Sequence, residues 1–137
     1  MSLADFGKLA EQNEEIDRRL DGRMVELALQ QPGAVLEGRV TGWMAHRHQL
    51  AALKVWVAAD LRVRAGRVGG RDEQSEQEAI DAVRKREASE RTRYAENYGI
   101  DLEQMKIYDL VLNSDDTDAE GLATQVLDAV LAAERVL

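Results

Sequence analysis

Apolar and polar positions alternate between two regimes along the chain. Three short runs read as buried strands: Ala34-Val35-Leu36-Glu37, Leu53-Lys54-Val55-Trp56-Val57 and Ile107-Tyr108-Asp109-Leu110-Val111-Leu112. Each is brief, rich in β-branched or aromatic residues, and bounded by polar or glycine-containing stretches. Between them the apolar spacing turns helical. Residues 14–30 place Ile16, Leu20, Met24 and Leu27 on one stripe, which Pro32-Gly33 ends. Residues 60–69 read as a short helix leading to Gly69-Gly70. Ser75-Glu76-Gln77-Glu78 is a capping-box pattern for a long charged helix to about Tyr98, with Gly99 as its stop. Thr117-Asp118-Ala119-Glu120 is a second such pattern, ahead of Leu122, Val126, Val130 and Leu131 on one stripe. Strands alternating with helices predict an α/β domain with a largely parallel sheet, and nothing divides residues 1–137.

Composition narrows this picture. There is no cysteine among the 137 residues, so disulfides and thiolate metal sites are excluded. No apolar stretch approaches the ~20 residues that span a bilayer. The N-terminal MSLADFGKLAEQNEE is polar and helix-like rather than a signal peptide. A cytoplasmic protein without a membrane partner is expected. The net charge of −8 argues against a nucleic-acid polymer as partner. The charge is uneven, however: residues 62–93 carry eight arginines and Lys85 against seven acids. Guanidinium suits bidentate recognition of phosphate.

Three clusters could carry chemistry. Glu37-Gly38-Arg39 follows a predicted strand, and ligands in open α/β sheets bind beyond the carboxyl ends of strands. Arg64, Arg67 and Arg71 recur at spacings of three and four, which crowds like charges on a helix unless an anion or acids such as Asp72 and Glu73 neutralise them. Arg86, Glu90 and Arg93 stand at i, i+4 and i+7, where one carboxylate could hold two guanidinium forks and leave donors over for phosphate oxygens. Spacing alone does not separate these readings from a turn with a surface ion pair or an ordinary salt-bridge ladder. His46 and His48, two apart, read as surface loop residues, and no GxSxG nucleophile motif is present.

Taken in order, MSLADFGKLAEQNEEIDRRLD, VLEGRVTGWM, LKVWVAADLRVRAGRVGGR, REASERTRYAENYGID and YDLVLNS resemble the archaeal-type cytidylate kinases of the nucleoside monophosphate kinase superfamily. The resemblance implies a P-loop kinase-like parallel sheet, incomplete here with about three strands, flanked by helices and carrying a helical lid. It implies acceptor-binding helices over residues 1–31 and a lid region over 67–98. The implied reaction is phosphoryl transfer from ATP, with Mg2+, to CMP or dCMP, a step of pyrimidine metabolism. By this resemblance Arg71, Arg86 and Arg93 are catalytic, and Arg39 and Glu90 bind the acceptor. Arg67, Asn113 and Ser114 bind ATP, with Arg67 against the adenine. Glu37 lies in the outer shell of the metal. Phosphoryl transfer asks a protein chiefly for positioning and charge stabilisation, which lid arginines supply.

The sequence departs from the family in one large respect. The family begins with a strand and a glycine-rich loop resembling GxxGxGK[ST]. The only Gly-Lys pair here is Gly7-Lys8, inside a helix-like segment. The resemblance therefore implies an N-terminally truncated kinase, inactive as this chain because the amides and lysine that hold the β- and γ-phosphates are missing. The alternative is a non-catalytic nucleotide-binding or sheet-completing module. Exposed sheet edges would then invite self-association.

Overall fold

The computed structural model describes residues 2–136, without the side chains of Ala4, Arg71, Asp72, Arg135 and Val136. Elements follow in the order α1 (Leu3–Gln12), α2 (Glu14–Gln30), α3 (Thr41–Arg47), β1 (Val55–Ala58), α4 (Leu61–Asp72), α5 (Glu76–Tyr98), β2 (Leu110–Asn113) and α6 (Ala119–Val136). Ser75 caps α5 by accepting the Glu78 N–H at 3.2 Å. Gly99 closes the helix in the left-handed region at φ 65°. At α6 the capping side chain is Asp118, which accepts the Gly121 N–H at 2.8 Å; the expected Thr117 box is displaced by one residue.

Helix α5 organises the molecule. It forms a helical hairpin with α4 around Ala65, Ala79 and Val83, flanked by Leu61, Val68 and Ile80. The predicted helix over 60–69 does not stop at its glycines but runs through them to Asp72. Gly69 is needed there: a β-carbon at this position would stand 3.0 Å from that of Ala79. The other end of α5 contributes Tyr94 to a second cluster with Val40, Met44, Ile100 and Leu102. Met44 and Ala45 are the buried residues of α3, a helix that the sequence pattern did not predict. His46 and His48, expected in a loop, lie in its last turn and at its C-cap, both exposed. The arm formed by α1 and α2 also lies along α5, and Gly7 of α1 sits against Ser89 and Arg93.

The strands β1 and β2 are parallel neighbours, paired from Val55–Leu110 to Ala58–Asn113. Their ladder starts later than predicted because Asp109 is engaged at its mouth, accepting the Lys54 N–H at 2.7 Å. The third expected strand does not form. Residues 34–37 have no regular structure, and Val35 is 95% exposed. An extended segment becomes a strand only when its N–H and C=O groups meet a neighbour's, and among the described residues the backbone of 34–37 has only the local turn bond from the Ala34 N–H to the Gln31 carbonyl. The sheet therefore has two strands where about three were expected, within the expected incomplete α/β arrangement of a small parallel sheet flanked by helices. Val57 on one face and Val111 on the other remain about half exposed, at 52% and 50%.

Candidate functional site

The predicted residues converge in two places beyond the carboxyl ends of the strands and one along α5. The first is centred on Glu90. Its side chain is 6% exposed, yet each carboxylate oxygen holds a different arginine. Arg39 donates from Nε to Oε2 at 2.8 Å and Arg86 donates from Nε to Oε1 at 3.0 Å. The expected carboxylate between two guanidinium groups is present, but its second arginine is Arg39 and not Arg93. Arg39 comes from the loop before α3, and its Cζ lies 5.7 Å from the Trp56 ring centroid. Trp56 is itself braced by Tyr108 at 5.4 Å. Tyr108 fits there because residue 42 is glycine, where a β-carbon would meet its ring at 2.5 Å.

Because both arginines bind Glu90 through Nε, their terminal nitrogens carry no such commitment. Among the described residues those nitrogens make no hydrogen bond, and Glu87 Oε1 stands 3.8 Å from Arg39 Nη2. Glu87 is instead taken by Arg64, whose Nη2 lies 2.9 Å from Oε1 and 3.1 Å from Oε2. Arg64 also donates from Nη1 to the Ala59 carbonyl. A small cavity of about 90 Å³ opens here, lined by Arg39, Trp56, Val57, Ala58, Ala59, Arg64 and Glu87. A larger open groove of about 540 Å³ at the start of α4 and α5 contains none of the predicted site residues.

The second convergence joins Arg67 to the turn after β2. Arg67 donates from Nη1 to Ser114 Oγ at 3.0 Å and from Nη2 to the Ser114 carbonyl at 2.7 Å. Ser114 is 2% exposed and its hydroxyl donates to the Ala58 carbonyl at 3.0 Å, so this knot ties α4 to both strands. Asn113 next to it is exposed and accepts the Asp115 N–H through Oδ1. Arg64 and Arg67 thus diverge to separate partners, which relieves the like-charge crowding that their spacing implies. Arg71 lies in the last turn of the same helix, and its side chain lies outside the described residues.

Arg93 is placed apart from the Glu90 cluster. It is 7% exposed and uses all three nitrogens: Nε donates to Asp17 Oδ2 at 2.9 Å, Nη2 to Asp17 Oδ1 at 3.4 Å, and Nη1 to Ser89 Oγ at 3.1 Å. Burial alone would lower its pKa, but the hydrogen bond and charge of Asp17 outweigh this and raise it further. Asn97 also donates to Asp17 at 3.3 Å, and the Tyr98 hydroxyl donates to Asp21 at 2.6 Å. Burial pushes the Tyr94 phenol beside Arg93 up to about 12. Sequence reasoning missed Asp17, Asp21 and Glu87; two acids one turn apart on the Ile16–Leu20 face were the available signal for the first two.

Glu37 is exposed, and among the described residues no three acids or histidines gather to hold a metal. Among the described residues no helix is long and apolar enough to cross a membrane.

Residues 2–116 match the sequence model of the cytidylate kinase-like family. A cytidylate kinase of Methanocaldococcus jannaschii is 42% identical over 131 residues, covering 95% of this chain and 73% of that protein. One from Pyrococcus horikoshii is 42% identical over 130 residues, covering 95% and 66%. One from Halobacterium salinarum is 40% identical over 137 residues, covering 98% and 70%.

Proposed function

The chain belongs to the cytidylate kinase-like family, and from that premise we propose that its Arg39–Glu90–Arg86 cluster grips the phosphate of CMP or dCMP as acceptor for phosphoryl transfer from ATP. The observation that carries this is the use of Nε by both arginines on one buried carboxylate. A guanidinium held at Nε is fixed in orientation and keeps its Nη pair for a second, bidentate anion. Glu90 also offsets the repulsion between the two cations, so the site is assembled before the ligand arrives. The Arg67–Ser114 knot supports an adenine subsite by placing a planar guanidinium beside the turn that carries Asn113. Arg93 then contributes by holding α2 against α5, with Arg71 the remaining candidate for the ATP phosphates.

These 137 residues hold no glycine-rich phosphate loop. By themselves they should bind the monophosphate without turning it over, since nothing in them anchors the triphosphate for the transfer. Titration calorimetry with CMP, and with cytidine as the phosphate-free control, tests the reading. Binding of CMP at least about tenfold tighter than cytidine is expected, as one charge-assisted pair contributes about 1.5–3 kcal/mol. Equal affinity for the two would remove the phosphate grip. Turnover of ATP and CMP by these residues alone would overturn the inactive reading.

A second reading rests on the unpaired segment 34–37 with its exposed Val35. A sheet-completing role, with a second copy or another chain pairing there, predicts association that depends on Val35. Sedimentation of the parent and of Val35→Lys separates it from the first.

A further inference from the structure

We infer that Arg64 is a positioning residue that holds Glu87 off Arg39 and so keeps the outer nitrogens of Arg39 available to an anion. This rests on the phosphate-gripping reading above. Three observations lead to it. First, Glu87 lies one turn before Glu90 on α5, half-buried, with Oε1 3.8 Å from Arg39 Nη2. That is near enough for attraction but beyond a hydrogen bond. Second, Arg64 takes both oxygens of Glu87, at 2.9 and 3.1 Å. Third, Arg64 is itself fixed by its bond to the Ala59 carbonyl at the end of β1. The three charges thus line the small cavity at the carboxyl end of β1, with the acid leaning to the arginine that does not face Glu90.

Without Arg64 this arrangement loses its balance. A half-buried carboxylate left without its cation turns to the nearest remaining one, which is Arg39. Glu87 would then occupy the nitrogens that a phosphate needs, and would add a negative charge beside the phosphate itself. Arg64 therefore acts on the ligand site through Glu87 without touching the ligand.

The test combines binding with stability. Arg64→Gln should weaken CMP binding about tenfold, because a displaced carboxylate competes for the same donors. Glu87→Gln should bind CMP as well as the parent or better. The double variant R64Q/E87Q should return to the level of E87Q, a rescue that a merely structural role for Arg64 does not give. Where the parent binds CMP, a double variant as weak as R64Q overturns the proposal, and so does an R64Q that binds like the parent. Independently of any ligand, a mutant cycle between Arg39→Gln and E87Q, read as urea midpoints, should show little coupling with Arg64 present and a clear coupling in the R64Q background. Equal coupling in both backgrounds overturns the proposal even where CMP binds. If the coupling changes as expected but the parent binds no CMP, the positioning stands and the phosphate reading falls. Should R64Q fail to fold, the cycle is read in Arg64→Lys, whose weaker pairing with Glu87 should give intermediate coupling.

Discussion

Arg86 and Arg93 stand on the same helix, two turns apart, and the structure uses them in opposite ways. Around Arg93 the chain closes completely: the guanidinium is 7% exposed, both oxygens of Asp17 face it, and Ser89 takes its last nitrogen. Around Arg86 the chain stays open, with more than half of the side chain in solvent and, among the described residues, only Nε committed. A closed cluster has used its hydrogen-bonding capacity to hold helices together. An open one, preorganised by a buried carboxylate, keeps capacity for something that is not the protein. Residue type is the same in both, so the distinction lies in how many donors the fold consumes.

The largest effect should come from breaking the closed end. Arg93→Ala leaves the buried Asp17 carboxylate without its cation and with only the Asn97 amide donating to it, and Asp17→Ala leaves Arg93 without its anion and with only Ser89 accepting from it. Loss of one member of a buried pair costs about 3–5 kcal/mol, read as a large fall in the urea midpoint. The double variant Asp17→Leu with Arg93→Met should recover much of that loss, since two apolar side chains strand no charge. A fall of less than about 1 kcal/mol for either single variant would mean that this end is no more closed than Arg86's.

The open end should respond the other way, in binding more than in stability. Arg39→Gln and Arg86→Gln should each weaken CMP binding about 10- to 100-fold, in keeping with about 1.5–3 kcal/mol for a charged hydrogen bond. Stability should move by less than about 1 kcal/mol, because both arginines are more than a third exposed and screened by solvent. Calorimetry and urea unfolding on the same samples check both halves. A stability loss as large as that of Arg93→Ala would make this a second structural cluster.

Part of this contrast was legible in the sequence. The i, i+4 spacing of Arg86 and Glu90 makes their pairing local, and helix periodicity shows it directly. Arg39 meets Glu90 across 51 positions and Arg93 meets Asp17 across 76. No local pattern encodes either contact: the family resemblance assigned both arginines to the ligands, and the fold gives them different carboxylate partners. The strands show the same limit. Ala34–Glu37 has the composition of a strand, but pairing is a property of two segments, and here the second is missing among the described residues. Helix α3 failed to announce itself for another reason. Val40 at its N-cap offers no side-chain acceptor, and its stability comes from burying Met44 and Ala45, not from a terminal signal.

The smallest effect, and the one that sharpens the comparison most, is in the pH dependence of two carboxylates. Asp21 sits at the closed end, where burial raises its pKa against the opposing hydrogen bond from Tyr98. The folded state then binds the proton more tightly than the unfolded one. Asp21's contribution is greatest at low pH and is lost as pH rises through its raised value. Asp109 sits at the mouth of the open sheet, where the Lys54 N–H lowers its pKa against a smaller cost of burial. Its contribution is present above the usual carboxylate range and is lost as pH falls through its lowered value. Asp21→Asn should therefore remove a decline of stability that sets in as pH rises above the ordinary carboxylate value of about 4. Asp109→Asn should instead remove a loss of stability on acidification below about pH 4. Urea midpoints measured from pH 3 to 7 give both slopes. If both variants changed the same limb, burial would not be what separates the two ends of this molecule.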